Sequence, residues 1–128
     1  MEPVTLRTDR LELSVPTAAD IDAITAAAQD PEVPRWTTLP SPYDRAHAEA
    51  FVDKAAGWWE DESELTWGVR RGGRWIGMIG LHRVEKRGSA EIGFWMDAAA
   101  RGHGYLTEAG AAVVEFGFAE PVALARIQ

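Results

Sequence analysis

No cysteine occurs in the 128 residues. That excludes a disulfide framework, a cysteine-based zinc site and a thiol nucleophile. Basic residues are also few, 13 against 20 acids, for a net charge of −7. A nucleic-acid binder usually presents a positive field to phosphates, so that class of partner is not expected. Cationic substrates such as amines suit the balance. Long hydrophobic runs are missing too. The most apolar stretch, residues 109–114, is far short of a bilayer span. The N-terminus carries Glu2, Arg7, Asp9 and Arg10 and lacks the apolar core of a signal peptide. A cytoplasmic protein without a membrane or metal partner is the expectation.

What is present reads as one globular domain, residues 1–128, with 46% hydrophobic and 26% charged residues. Residues 6–15 alternate, with Leu11, Leu13 and Val15 on one face of a strand that Pro16 ends. Thr17, with Asp20 three positions on, predicts a helix start of the capping-box kind. Ile21, Ile24 and Ala28 recur at helical spacing, and Asp30-Pro31 closes the segment. A proline-rich loop carrying Trp36 follows. Ser41, Pro42 and Asp44 suit the start of a second helix. Its apolar face runs from Ala48 through Phe51, Val52 and Ala55 to Trp58 and Trp59.

Residues 65–70, 75–84 and 90–96 predict three strands joined by the short turns Arg71-Gly72-Gly73 and Lys86-Arg87-Gly88, an antiparallel meander. A helix is predicted over 105–119, and a last strand over 122–127 after Pro121. The order is β-α-α-β-β-β-α-β, an α+β fold with a mostly antiparallel sheet.

Between the third meander strand and the last helix lies Arg101-Gly102-His103-Gly104-Tyr105. Two glycines let backbone N–H groups approach a ligand and adopt positive φ. The helix that follows leaves its first N–H groups unpaired and turns its positive dipole end to the same place. Arg101 adds charge, so the loop suits an anionic phosphate. It is not a Walker loop, because Tyr105-Leu106 follows Gly104 where Lys-Ser/Thr is needed. It is not a dinucleotide fingerprint either. Thr107 stands at the third glycine, and Arg126 lies where an acid is required.

Ala90-Glu91-Ile92-Gly93-Phe94-Trp95-Met96, followed by residues 101–109, resembles the GCN5-related N-acetyltransferases (GNAT). The likeness is greatest to their ribosomal-protein N-terminal acetyltransferase branch. Residues 6–13 are similar to that branch's first strand and residues 75–81 to its third. The resemblance covers nearly the whole chain and implies a GNAT fold, a mixed, mostly antiparallel sheet flanked by helices. It implies acetyl-CoA as donor, with the pyrophosphate on Arg101, Gly102, His103, Gly104, Tyr105 and Leu106. The pantetheine would pair along the strand ending at Trp95 and Met96, and an N–H near one of them would polarise the acetyl carbonyl. A primary amine, either a protein N-terminus or a small amine, would then attack the thioester directly.

Two departures stand out. Ala99 occupies a position where the family often has Gln or Arg. The sequence also stops at Gln128, before the family's usual C-terminal helix and strands, which carry an Asn touching the cofactor and a Tyr that protonates the thiolate.

Glu91 is the candidate general base, on the strand face shared with Gly93 and Trp95. His82 reads as a surface or turn-stabilising residue, and His47 as solvated. Trp36 is the candidate acceptor contact, on the loop that lines the acceptor side in the resembled family. Trp58, Trp59, Trp67 and Trp75 read as core or sheet-face aromatics. Glu60, Asp61, Glu62 and Glu64 read as a solvated helix end. Two rival functions also fit the sequence: a module that holds acyl-CoA without turnover, and a truncated remnant that self-associates. In the second, an unpaired strand at 123–127 would leave an edge open to a second copy, giving a homodimer.

Overall fold

The computed structural model describes residues 1–30, 42–119 and 121–128. The N-terminal alternation, which reads as one strand, folds as two. β1 (Leu6–Arg7) and β2 (Glu12–Ser14) are antiparallel, with Leu6 opposite Leu13 and Arg7 opposite Glu12. Thr8 makes the turn. Its N–H donates to the Leu11 carbonyl at 2.9 Å, and its hydroxyl accepts from the Leu11 N–H at 3.0 Å. Thr-Asp side chains compete for backbone partners in this way, and here that competition breaks the strand.

A 3₁₀ turn (Ala18–Asp20) leads into α1 (Ile21–Ala27). The Asp20 carboxylate accepts from the Thr17 N–H at 2.8 Å, as the capping pattern anticipates. It also has a distant partner: Arg70 donates to it at 2.5 and 2.6 Å. Burial pushes the Asp20 carboxyl up, but hydrogen bonds from Arg70 and Thr17 outweigh that and hold it below its ordinary value.

α2 (Arg45–Asp61) starts later than the Ser41-Pro42 reading expects. Asp44 is the cap, accepting from the His47 N–H at 3.2 Å, while His47 Nδ1 accepts from the Asp44 N–H at 3.1 Å. His47 is therefore part of a reciprocal cap rather than simply solvated. Pro42 lies before the helix, and Ser41 falls outside the described residues.

The meander forms as expected: β3 (Leu65–Arg71), β4 (Arg74–His82) and β5 (Ser89–Met96), antiparallel in sequence order. After a 3₁₀ turn (Ala98–Ala100) and the glycine loop comes α3 (Tyr105–Phe118). The last strand, β6, covers only Arg126–Ile127. Residues 122–125 instead turn back beneath α3. The Leu124 N–H donates to the Gly117 carbonyl at 2.8 Å, and Val122 and Leu124 are buried.

The strand at 123–127 is not unpaired, contrary to the sequence reading. β6 runs parallel to β5, with Ser89 opposite Arg126 and Ala90 opposite Ile127. The sheet order is β1-β2-β3-β4-β5-β6. One apolar cluster, including Trp67, Ile79, Leu81 and Val113, joins the sheet to α3. A second, including Ile24, Ala48, Trp75 and Met78, holds α1 and α2 to the sheet. No helix among the described residues is long and apolar enough to cross a membrane.

Candidate active site

β5 has two different edges. Along one it pairs with β4 from Glu91 to Met96. Along the other β6 meets only its beginning: the Gln128 N–H donates to the Ala90 carbonyl at 2.9 Å and the Ile92 N–H to the Gln128 carbonyl at 3.0 Å. Ala90 and Ile92 thus turn their backbone groups to the β6 side. Strand alternation turns those of Phe94 and Met96 the same way. Among the described residues no strand pairs there. Trp95 directs its backbone toward β4, opposite Met78.

The glycine loop follows directly. Gly102 and Gly104 have φ of 82° and 78°, in the left-handed region. A Cβ on Gly102 would meet nothing within 4 Å, so the space above the loop is open. Gly104 is the N-cap of α3 and has no side chain to offer, so the first N–H groups of the helix remain available.

The side chains around the loop hold it rather than cover it. Arg101 donates to the Met96 carbonyl at 3.0 Å and pairs with Asp30 at 2.9 Å, bracing the loop against β5 and the end of α1. The His103 ring stacks on Tyr105, with centroids 5.4 Å apart. The Tyr105 ring is buried, with the Arg10 and Arg71 guanidiniums 4.7 and 5.3 Å from its centroid and Arg71 donating to its hydroxyl. Leu106 is half-buried against the core.

Arg10 closes the arrangement. It donates to the His103 carbonyl at 3.1 Å and to Glu108 at 2.7 Å. Hydrogen bonds from Thr8 and Arg10 hold the Glu108 carboxyl down, at about 2. The sequence placed Glu108 in the first turn of the helix but showed no sign of this clasp.

On the α2 side of the sheet a cleft of about 630 Å³ opens, within the size range of small-ligand sites. Phe51 and Trp58 of α2 form one wall. Met78, Gly80 and His82 of β4, with Glu91, Gly93 and Trp95 of β5, form the floor, because their register puts all six on one face. Trp58 therefore lines the cleft, edge-on to Phe51, while Trp59, Trp67 and Trp75 are buried.

Glu91 is on the cleft face as expected, half-exposed and paired with Arg83 at 2.5 Å. His82 lies directly opposite Glu91 and binds Glu64 at 2.6 Å through Nδ1. No local pattern announced that pair. Glu64 looked like part of an acidic run, and only the β3–β4 hairpin brings it to His82. Trp36 lies outside the described residues.

The profile of the Acetyltransferase (GNAT) domain matches residues 10–128. The chain belongs to the GNAT acetyltransferase family. It is 31% identical over 116 residues to the uncharacterized N-acetyltransferase YoaA of Bacillus subtilis (strain 168), covering 88% of this chain and 66% of YoaA. Its fold is like that of a GNAT-family acetyltransferase from Bacillus anthracis, with TM-score 0.81 and 22% identity over 97% of this chain and 71% of the other. It is also like the ribosomal alpha-N-protein acetyltransferase RimL in complex with coenzyme A, with TM-score 0.80 and 15% identity over 97% and 72%. Family membership agrees with the resemblance seen in residues 90–109.

Proposed function

We propose that this chain transfers acetyl from acetyl-CoA to a primary amine by direct attack on the thioester. The observation that carries the proposal is the continuity of two backbone surfaces that no strand or side-chain cap covers among the described residues. The open edge at Phe94 and Met96 runs into the uncapped loop of Gly102 and Gly104 within a few residues.

The loop and the first turn of α3, Arg101, Gly102, His103, Gly104, Tyr105 and Leu106, offer N–H groups to a pyrophosphate. A pantetheine arm leaving that point passes Met96 first and Phe94 next, adding to the sheet as a strand would. The thioester then lies near Phe94, whose N–H meets its carbonyl oxygen as charge develops there. That donor adjoins Trp95, in keeping with the N–H near Trp95 or Met96 that the family resemblance implies. Alternation favours Met96 for the arm and its neighbour Phe94 for the carbonyl, with the Trp95 ring lining the cleft beside them. The acceptor enters from the cleft, whose lining includes Glu64, Glu91 and Arg83. A protein N-terminus is the acceptor we favour, from the fold shared with RimL.

Calorimetric titration with CoA tests the loop. Binding by the wild-type chain and its loss in Gly102→Glu, Gly104→Glu are the expected results. Equal affinity in that variant would sink the assignment. A panel of peptide N-termini and small amines, followed by thiol release, then identifies the acceptor.

A further inference from the structure

We infer that His82, held by Glu64, is the proton acceptor for the attacking amine, a role that rests on the acetyl-transfer reading above. Nδ1 of His82 lies 2.6 Å from Oε2 of Glu64. A carboxylate only accepts, so the proton of a neutral imidazole resides on Nδ1. Nε2 is then the free base. That atom lies over the backbone of Gly93: a Cβ built there would come within 2.7 Å of it. The next residue along β5 is Phe94, which turns its N–H to the open edge. A nucleophile entering the cleft beside that imidazole therefore has Nε2 on one side and the thioester position on the other.

The charged groups facing His82 are Glu64 before β3, Glu91 opposite it on β5, and Arg83 beside it. The α2 residues on the cleft wall, Phe51 and Trp58, carry no charge. Glu91 is already engaged by Arg83 at 2.5 Å, whereas His82 lines the cleft with Nε2 over Gly93. Glu91 then supplies field rather than proton transfer.

In the reaction His82 Nε2 takes one proton from the ammonium group of the acceptor. The freed amine forms the C–N bond as the C–S bond breaks. The proton then left in excess on nitrogen goes to the departing thiolate, giving the amide and free thiol. The imidazolium returns its proton to solvent. Glu64 positions the ring and steadies the imidazolium without touching substrate.

The test combines kinetics with a measurement on the free protein. Nitrogen NMR of the wild-type chain should show neutral His82 protonated at Nδ1. In His82→Ala, kcat should fall roughly 100-fold, the usual scale for a general base, with KM for acetyl-CoA little changed. The acid limb of the pH profile should flatten, and added imidazole should restore turnover. Glu64→Gln should lower kcat by a smaller factor at unchanged KM, with Glu64→Asp recovering part. His82→Gln keeps the bulk of the side chain but offers no base, so it should show the same loss of kcat even if His82→Ala folds poorly.

A proton on Nε2 instead of Nδ1 would overturn the inference. So would kcat within about threefold of wild type in His82→Ala, or an acid limb lost in Glu91→Gln and kept in His82→Ala. If the wild-type chain binds CoA but releases no thiol with any amine, the transfer reading fails, and this role with it. Wild-type turnover with an unchanged His82 variant defeats the His82 role alone.

Discussion

Arg10 Nε lies 2.7 Å from Glu108 Oε1, across 98 residues of sequence, and the same guanidinium donates to the carbonyl of His103. The β1–β2 turn is thereby tied both to the glycine loop and to the helix behind it. Arg10→Ala should weaken CoA binding several-fold by calorimetry, because the loop loses its brace, and should lower the thermal midpoint modestly, because Thr8 still holds Glu108. Unchanged affinity would show that the loop holds its shape alone.

That clasp also has a pH signature. The Glu108 carboxyl is held down to about 2 by Thr8 and Arg10. A depressed carboxyl stabilises the fold above its ordinary titration range, and that contribution disappears as pH falls toward the folded value. Carbon NMR of the Glu108 carboxyl should therefore show ionisation persisting through pH 4 and ending near 2. An ordinary midpoint near 4.3 would mean the clasp is absent in solution.

Asp20 and Arg70 form the most enclosed ion pair found among the described residues, with side chains only 4% and 13% exposed. Removing one partner leaves the other charge buried without compensation. Asp20→Asn should cost about 3 kcal/mol, lowering the thermal midpoint by roughly 10 °C. The Asp20 contribution is complete above the usual aspartate range and is lost on acidification, so the wild type should lose stability there while the variant has less to lose. A loss well under about 1 kcal/mol would show the pair to be solvated, as exposed pairs are.

Thr66 presents the opposite case. Its Oγ1 is buried without a hydrogen-bond partner. An unpaired buried hydroxyl bears its desolvation cost, so Thr66→Val should raise stability by about 1 kcal/mol in urea unfolding. A fall of that size would mean the hydroxyl finds a partner in solution.

Gly77 lies opposite Met96 where β4 pairs with β5. A Cβ there would lie 2.8 Å from the Trp95 carbonyl and 3.2 Å from Met96 Cα, both backbone atoms that cannot step aside. Gly77→Ala should destabilise by about 1–3 kcal/mol and weaken CoA binding, because it moves the strand whose far edge is open. Wild-type stability would show that the strands can separate locally without cost.

Local patterns were enough for much of the protein. Period-two runs bounded by glycine turns made the meander legible, and the two loop glycines before an apolar helix marked the candidate anion site. The lack of cysteine and the acidic balance narrowed the chemistry before any fold was known. These signals are short-range, since turn chemistry, capping and periodicity are set by residues within a few positions. Where two local rules competed, the stronger won: Thr8 closing a turn overrode the alternation of residues 6–15, and Asp44 with His47 displaced the start at Ser41 and Pro42.

What remained was decided by register and packing across the chain. The parallel pairing of β6 on β5 leaves the edge open only at Phe94 and Met96. The β3–β4 hairpin swings Glu64 onto His82, and the β4–β5 register lays that imidazole over Gly93. Arg10 reaches Glu108, and Asp20 reaches Arg70, only when the sheet is assembled. Such contacts depend on how elements stack, a three-dimensional choice that periodicity along the chain does not encode.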